Sequence, residues 1–249
     1  MNKLVASIAL GVAAIVSVPA LAADPVSFDY PVYKDYVPPY IPPVDVGLKG
    51  SFYLRGSLGG NIGWVREVQH PTYPSITYPT TSLGYGYSAG IGAGFETGDG
   101  WRFDVTADYL SNEGLKANIP DVTPAGDYSL RLRSTIALAN VYYDFGLGNL
   151  GLSAAGGAFG YVGAGAGLAF NRVGTMEPPA LSTEGPWGGN TSFAAAGMVG
   201  VGYDFGALVA DLGYRGLYIN RIENSTAPNR YHIDHALVHE LRATLRYRF

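Results

Sequence analysis

In the final segment of the chain, Ala236 to Phe249, apolar and polar residues alternate strictly from His239 onward. The odd positions from 241 to 249 are apolar or aromatic, and the even positions from 240 to 248 are charged except for Thr244. A period of two is that of a β-strand with two unlike faces. We expect this pattern in a lipid-facing barrel strand, which turns its charges inward and its aromatic residues toward the membrane.

The same period recurs in seven earlier segments, which gives eight predicted strands. Along one of them the apolar residues change from even to odd positions, and this change predicts a β-bulge near Ala139. Each segment is long enough to cross a bilayer, since a tilted membrane strand needs about 9–11 residues. The predicted strands are 51–66, 82–96, 101–112, 129–145, 152–170, 191–205, 207–220 and 236–249.

Tight and long connections alternate between these segments. Such alternation is typical of bacterial outer-membrane barrels, which have short periplasmic turns and long extracellular loops. The sequence therefore predicts an all-β fold, an eight-stranded antiparallel transmembrane β-barrel. The predicted tight turns are 97–100, 146–151 and Gly206, and the predicted long loops are 68–81, 113–128, 171–190 and 221–235.

Aromatic residues fall near both ends of the predicted strands, with smaller apolar residues between them. Two aromatic belts around an apolar band are what the two membrane interfaces favour, whereas a soluble lipocalin-like barrel would turn its aromatic residues inward. The predicted periplasmic belt contains Phe52, Phe95, Trp101, Phe103, Tyr143, Phe145, Tyr203, Phe205, Tyr247 and Phe249, and the outer belt contains Trp64, Tyr85, Tyr87, Tyr109, Phe170, Phe193 and Tyr218.

The composition agrees with a β-rich membrane protein. Only 14% of the 249 residues are charged, against a usual share of about 25%, while 35 are Gly and 19 are Tyr. The absence of cysteine excludes disulfides, thiolate metal sites and a cysteine nucleophile. The formal net charge of −4 gives no basic field for nucleic acid.

Two segments precede the predicted barrel at 48–249. Residues 1–22 have the pattern of a secretory signal peptide: Lys3, then an apolar run, then Ala20 and Ala22 in a cleavage pattern. The alternative, a helical anchor, needs about 20 apolar residues, and this run is shorter. Residues 23–47 are rich in Pro and Tyr, which predicts an extended periplasmic arm. The arm is either a flexible tether or a docking peptide for a periplasmic partner.

Charged residues occupy the positions that the alternation turns inward. In the narrow interior of an eight-stranded barrel they should pair, because an unpaired buried charge is costly. The pairs either form a plug or line a narrow conduit. The predicted interior network contains Arg55, Glu96, Arg102, Asp104, Asp108, Arg131, Arg133, Asp211, Arg215, Glu240, Arg242, Arg246 and Arg248, and Asp144 and Asp204 share its facing.

Candidate catalytic residues gather near the last strand but do not form a convincing site. They are His232, Asp234, His235, His239 and Glu240. His235 and His239 would lie about 13 Å apart on one strand face, too far to hold one metal ion. We therefore expect no enzyme activity, no cofactor and no metal site.

Residues of the predicted long loops offer a weaker indication of ligand binding. Capture of haem by surface Tyr and His side chains would use Tyr73, Tyr78, Tyr231 and His232, whereas His70 stands alone in the first loop. The exposed Trp187 is a candidate contact residue, although packing against its own loop is the favoured explanation.

Several short motifs resemble those of small eight-stranded outer-membrane proteins of alphaproteobacteria, the porin-family or OmpA-like surface antigens. The resemblance covers about residues 48–249. It implies that the terminal Tyr247 and Phe249 belong to the signal recognised by the barrel-assembly machinery. The motifs are Gly50-Ser51-Phe52-Tyr53-Leu54, Tyr161-Val162-Gly163-Ala164-Gly165, Tyr-Asp-Phe-Gly at 143–146 and 203–206, and Arg246-Tyr247-Arg248-Phe249.

These observations predict a monomeric protein of the bacterial outer membrane in contact with outer-membrane lipid and lipopolysaccharide. The expected role is structural, as a surface protein that supports the envelope and presents recognition loops. A narrow porin-like channel for small solutes or ions is the first alternative. Haem binding at the surface is the second.

Overall fold

The computed structural model describes residues 50–65, 67–69, 76–121, 125–147, 157–176, 187–224 and 232–249. The predicted signal peptide with Ala20 and Ala22, and the Pro/Tyr-rich arm, lie outside the described residues. The strands are β1 (Ser51–Trp64), β2 (Glu67–Gln69), β3 (Thr77–Ser82), β4 (Gly84–Glu96), β5 (Trp101–Ile119), β6 (Gly126–Gly146), β7 (Gly157–Met176), β8 (Gly188–Asp204), β9 (Leu208–Glu223) and β10 (His232–Arg248).

Eight long strands form a closed antiparallel ring. From β4 to β10, strands that follow one another in the chain pair with each other, and β1 pairs with both β4 and β10. The β1–β10 register runs without a break from Tyr53 opposite Arg248 to Trp64 opposite Leu237. Closure leaves no open sheet edge, which a membrane-spanning sheet requires because lipid cannot bond to free backbone groups. The predicted eight-stranded antiparallel barrel is confirmed.

The short strands β2 and β3 continue the wall beyond the point where β1 ends. Gln69 of β2 pairs with His232 of β10, and Thr80 of β3 pairs with Ala117 of β5. The two strands also pair with each other. The predicted first long loop therefore contains a hairpin that takes the place of β1 and β4 in the outermost part of the ring.

Tight turns join β4 to β5 and β8 to β9 at one end of the barrel, which we call the turn end; the opposite end is the loop end. The predicted turn 146–151 lies mostly outside the described residues. In the turn between β4 and β5, Gly98 and Gly100 have φ angles of 84° and 102°, which favour glycine. The Thr97 hydroxyl donates to the Asp99 carboxylate. This hydrogen bond is the main cause, and one from the Trp101 amide the second, of a pKa of Asp99 below its usual value.

Phe249 is also at the turn end, where its amide donates to the carbonyl of Phe52 at 3.0 Å.

The outer surface of the ring is apolar between two aromatic belts. Ile91, in the middle of the wall, is 72% exposed, and the terminal Phe249 is 70% exposed. Such an extensive apolar surface is typical of contact with lipid. No helix among the described residues is both long and apolar enough to cross a bilayer. Other exposed side chains of the belts and band include Phe52, Leu58, Trp64, Tyr87, Trp101, Phe103, Val105, Tyr109, Leu168, Phe170, Phe193, Val201, Tyr203, Phe205, Leu241, Leu245 and Tyr247.

The predicted bulge near Ala139 is wrong. β6 pairs with β5 without a register shift from Tyr143 to Leu132, and with β7 without a shift along its whole described length. The even positions of β6 face inward throughout, whether they carry apolar Leu138 or polar Asn140. The apolar residues change parity because the interior itself changes from polar to apolar at this height, while the backbone stays regular.

The strands at the loop end are longer than predicted, and the connections are shorter. β5 ends at Ile119 and β6 begins at Gly126, so these two strands include most of the predicted loop 113–128. Here the alternation is inverted, since the buried side chains are apolar and the exposed ones are polar. A search for apolar, lipid-facing positions therefore missed these extensions. The predicted loops 171–190 and 221–235 shorten in the same way to the segments between β7 and β8 and between β9 and β10.

Candidate functional site: the interior of the barrel

Charged side chains fill the interior in the half near the turn end. They come from seven strands around the ring, and each lies within ion-pair distance of at least one other. The alternation of each strand places them there, since the opposite faces of the same strands carry the lipid-facing residues. We call this group the turn-end network. Its members are Arg55, Glu96, Arg102, Asp104, Asp108, Asp144, Asp204, Asp211, Arg215, Glu240, Arg242, Arg246 and Arg248.

Asp108 is at the centre of the part of the network nearest to mid-barrel. Its two carboxylate oxygens accept from Arg215 and Arg242, each at 2.5 Å. Glu240, 1% exposed, accepts from Nε of Arg215 and lies 3.7 Å from Arg242. Arg242 also donates to the hydroxyl of Ser57. Two arginines and two carboxylates from β5, β9 and β10 thus neutralise one another away from water.

A second cluster forms around Asp104. Its carboxylate accepts from Arg55 at 2.8 Å, from the hydroxyl of Tyr53 at 2.8 Å and from the amide of Asn140 at 2.7 Å. Arg55 also donates to the hydroxyl of Tyr142 at 2.9 Å. Since these five residues belong to β1, β5 and β6, the cluster connects strands that are not all neighbours and braces the ring from within.

Arginines close the network toward the turn end. Arg246 is 0% exposed and pairs with Glu96. It also lies 3.8 Å from Asp144 and 3.8 Å from Asp211. Arg248 pairs with Glu96 at 2.6 Å, and with Asp204 at the same distance. These pairs join β4, β6, β8, β9 and β10 across the narrow opening.

Aromatic rings separate the ion pairs from each other. Arg102 makes two hydrogen bonds with Asp144, at 3.1 and 2.9 Å, and its guanidinium lies 4.1 Å from the centre of the Tyr142 ring. Tyr161 donates to Asp211 at 3.1 Å. A stacked, bidentate arginine is held in one orientation, so these contacts give the network a fixed geometry.

Inward glycines provide the space that the large side chains occupy. A Cβ at Gly90 would collide with Asp108, one at Gly94 with Tyr53, and one at Gly163 with Tyr142. The glycine-rich β4 and β7 therefore leave no general void, because side chains from neighbouring strands lie against their backbones.

The interior in the half near the loop end is apolar. Leu110, Ile136, Leu217 and Ile219 are each 0% exposed there. We call this group the loop-end core; the sequence analysis did not predict it. The one signal was the run of apolar residues at even positions of β6, which was ascribed to a bulge. The core also contains Val65, Val68, Tyr78, Leu115, Ala117, Ile119, Tyr128, Leu130, Leu138, Ala169, Val173, Ala194, Ala196, Ile222, Ile233, Ala236 and Val238.

The wall around the loop-end core has an irregular seam between β8 and β9. Their backbone pairing ends at Ala194 opposite Ile219. Beyond this pair, side-chain hydrogen bonds take the place of the backbone pairing. The side-chain amides of Asn171 and Asn190 donate to the backbone carbonyl of Arg221 at 3.2 and 3.1 Å. These bonds satisfy a carbonyl that the strand pairing leaves free, so the wall stays closed among the described residues.

Two predicted members of the interior network lie outside the barrel. Arg131 and Arg133 are on the odd, outward positions of β6, and Arg133 pairs with Glu113 on β5. The prediction for these two residues is corrected, because it depended on the bulge that β6 does not have. The other predicted members lie on inward positions, and Tyr53, Asn140, Tyr142 and Tyr161 join them, which the sequence analysis did not foresee.

The candidate catalytic residues are dispersed. Glu240 is inside the network, while His235 and His239 face outward, and each contacts a different tyrosine, Tyr218 or Tyr214, at 2.5 Å. Among the described residues no three side chains of metal-binding type come together.

Of the four proposed haem ligands, the structure describes the side chain of Tyr78. Tyr78 is 4% exposed and donates to Asp121 at 3.3 Å, so it is part of the loop-end core. Tyr73 and Tyr231, like His70, lie outside the described residues. The ring of Trp187 lies against Gly174 of β7, in agreement with packing near its own loop.

A cavity of about 430 Å³ opens at the turn end beside Glu96, Asp144 and Arg246, and two much smaller cavities lie further inside the wall. One of about 20 Å³ lies beside Asp108, Asn140 and Tyr161 within the network, which is space for about one water molecule. A second of about 30 Å³ lies in the loop-end core beside Leu115 and Ile233. The closed ring, the apolar outer band and the filled interior define the class of this protein: an eight-stranded membrane-spanning β-barrel.

No protein-family model matches the chain. The chain is 28% identical over 237 residues to an uncharacterised protein of Brucella suis biovar 1, covering 83% of this chain and 78% of that one. It is 29% identical over 239 residues to an uncharacterised protein of Brucella abortus, with the same coverage.

Solved structures similar to this chain include three small barrels. Neisserial surface protein A is 21% identical, with a TM-score of 0.48 over 80% of this chain and 97% of that one. Outer-membrane protein AlkL is 12% identical, with a TM-score of 0.41 over 86% and 98%. Ail of Yersinia pestis, solved with the heparin analogue sucrose octasulfate, is 12% identical, with a TM-score of 0.38 over 80% and 99%.

Proposed function

We propose that this protein is a structural surface protein of a bacterial outer membrane, whose barrel is closed to solutes and holds its outer connections on a rigid wall. The apolar band supports residence in a membrane, and closed strand-built walls are the form in which sheets cross one. The predicted signal peptide is consistent with export. Support of the envelope is a role that needs a stable barrel and no conduit.

One observation carries this proposal: two different barriers lie in series along the barrel axis. The first is the turn-end network, in which Arg246 is completely buried between carboxylates. The second is the loop-end core, in which Leu138 and Leu217 are 1% and 0% exposed. An ion would have to break charge-assisted bonds at the first barrier and cross an apolar layer at the second, and both are costly.

Single-channel recording in a planar bilayer tests the proposal. The folded wild-type protein is expected to give no discrete conductance steps. Because the barriers are in series, removing side chains from one of them should still give no conductance. The core variant is Leu138→Ala with Leu217→Ala, and the network variant is Arg246→Ala with Glu96→Ala, which removes both partners of a pair so that neither stays unpaired.

The combined variant with all four substitutions is the positive control, and we expect it alone to conduct. Folding of every variant is checked by heat-modifiable migration on a gel. Steady steps from the wild-type protein would reject the closed barrel and establish the narrow channel in its place. Steps from either two-residue variant would show that the two barriers do not act in series.

A further inference from the structure

The outward face of β5, β6 and β7 carries a group of basic side chains at the loop end. We call Lys116, Arg131, Arg133 and Arg172 the basic patch. Arg133 is directly opposite Arg172 in the β6–β7 register, and Arg131 is two residues further along β6. Lys116 is opposite Ser129 in the β5–β6 register. Neighbouring strands are about 4.8 Å apart, so the patch is three strands wide, about 10 Å.

The patch lies just beyond the outer aromatic belt. Tyr109, opposite Thr135 on β6, and Phe170, also opposite Thr135, are 42% and 47% exposed. Arg133 and Arg172 are each two residues further along their strands, about 7 Å at 3.3 Å per residue. Because aromatic belts mark the boundary of the hydrocarbon region, the patch is at the height of lipid headgroups.

One member of the patch, Arg133, forms an ion pair within the part of the chain that the structure describes. Two like charges directly opposite in a sheet destabilise it unless a counter-charge is present. Glu113 pairs with Arg133 and is also attracted electrostatically to Arg131. Arg172 has no ion pair with any residue that the structure describes. The next acidic side chain on β6, Asp127, accepts from Asn118 and is four residues, about 13 Å, beyond Arg131.

The opposite side of the barrel has a different arrangement at its loop end. There Arg221 of β9 pairs with Asp234 of β10 at 2.8 Å, and both side chains are accessible. On one wall, the charge of the exposed Arg221 is thus neutralised by an ion pair. On the other wall, Arg172 has no ion pair with a residue that the structure describes. This asymmetry gives the basic patch a matched control within the same molecule.

We propose that the basic patch binds the phosphate groups of a phosphorylated glycolipid in the outer leaflet, such as the lipid A part of lipopolysaccharide. The guanidinium groups of Arg133 and Arg172 would hold phosphate oxygens, and Lys116 and Arg131 would add charge around them. The patch continues directly into the apolar band through Phe170 and Leu168, so the acyl chains of the same molecule would lie on that band. This continuity favours a lipid over a soluble polyanion. The inference rests on the proposed outer-membrane location.

A binding experiment with two lipids tests it. The full barrel in detergent is titrated with bisphosphorylated lipid A and with the same lipid after enzymatic dephosphorylation, and affinity is measured by thermophoresis. The wild-type protein is expected to bind the bisphosphorylated form about tenfold more tightly, as expected for the loss of charge-assisted contacts. The variant Arg133→Gln with Arg172→Gln should lose that preference, while Arg221→Gln should keep it. Heat-modifiable migration shows that each variant is folded.

Three outcomes would overturn the proposal. Equal affinity of the wild-type protein for both lipids would show that phosphate is not recognised. An equal loss of preference in Arg221→Gln would show that overall charge, and not the patch, is responsible. Displacement of the lipid by millimolar inorganic phosphate would assign the site to free phosphate. None of these results depends on conductance, so this inference and the closed-barrel proposal can fail separately.

Discussion

The interior of the barrel is charged near the turn end and apolar near the loop end. The same wall surrounds both halves, so the difference comes from what each half must exclude and what surrounds it. In the turn-end half the outer face is covered by lipid, and the inward positions of β5, β9 and β10 carry Asp108, Arg215 and Glu240. Toward the loop end the inside becomes apolar from Leu138 onward, still below the outer aromatic belt, and beyond that belt the outer face becomes polar, as in a soluble barrel.

The two halves should therefore respond differently to substitution. Ion pairs buried in the turn-end network are strong only while both partners are present, because a single remaining charge keeps its desolvation penalty. The loop-end core loses energy in proportion to the volume removed. The measurement for all of the following variants is the free energy of unfolding in urea in lipid vesicles.

The largest effect is expected from Asp108→Ala, which leaves Arg215 and Arg242 without their shared carboxylate. The loss should be about 4 kcal/mol, since breaking a buried pair costs about 3–5 kcal/mol. The control is Asp127→Ala, an exposed carboxylate at the loop end, which should cost less than about 1 kcal/mol. Similar losses in both variants would mean that burial does not determine the strength of the network.

A somewhat smaller loss, about 3 kcal/mol, is expected from Leu217→Ala in the loop-end core. Leu217 is 0% exposed, whereas Leu212 on the same strand is 43% exposed and faces outward. Leu212→Ala is therefore the matched control and should cost less than about 1 kcal/mol. If the two substitutions were equivalent, the loop-end half would not be packed as a core.

Replacing the whole cluster around Asp108 by apolar residues makes this part of the turn-end half apolar, like the loop-end half. The variant is Asp108→Leu, Arg215→Met, Glu240→Met and Arg242→Met. Its stability should differ from wild type by less than about 2 kcal/mol, because apolar groups of similar volume often replace buried ion pairs at little cost. A loss larger than that of Asp108→Ala alone would show that the charges stabilise the barrel beyond their mutual neutralisation.

The smallest effect is expected on the outer face of the turn-end half. Ile91 contacts lipid in the middle of the wall, so Ile91→Ala exchanges one lipid contact for another. We expect a change of about 0.5 kcal/mol or less, as for surface positions. A loss comparable with that of Leu217→Ala would mean that Ile91 is packed against protein and would contradict the lipid-facing assignment.

Much of the barrel could be predicted from the alternation alone. It gave eight strands, their antiparallel order, the tight turns at 97–100 and Gly206, and the outward set from Phe52 to Phe249, because the contrast between lipid and a polar interior is strong in the turn-end half. It also gave the inward charges of β5, β9 and β10. The same reasoning failed on β6, where Leu138 and Asn140 share a face although one is apolar and one is polar.

The errors came from one assumption, that apolar residues always face outward. Beyond the membrane band the outside is polar, so the alternation is inverted and the strand ends look like loops. This is why Arg131 and Arg133 were assigned to the interior, and why the extensions of β5 and β6 were missed. A single sequence does not show where along a strand the surroundings change.

The sequence by itself determined the strand period, the closed antiparallel class of fold and the residue types that face lipid, because a period of two leaves only two faces to choose between. The tertiary structure decided which charges meet, which glycines make room for Tyr53 and Tyr142, and where the interior becomes apolar. These contacts join strands far apart in the chain, such as β1 with β6. Their geometry depends on the register and closure of the ring, which no local pattern of residues contains.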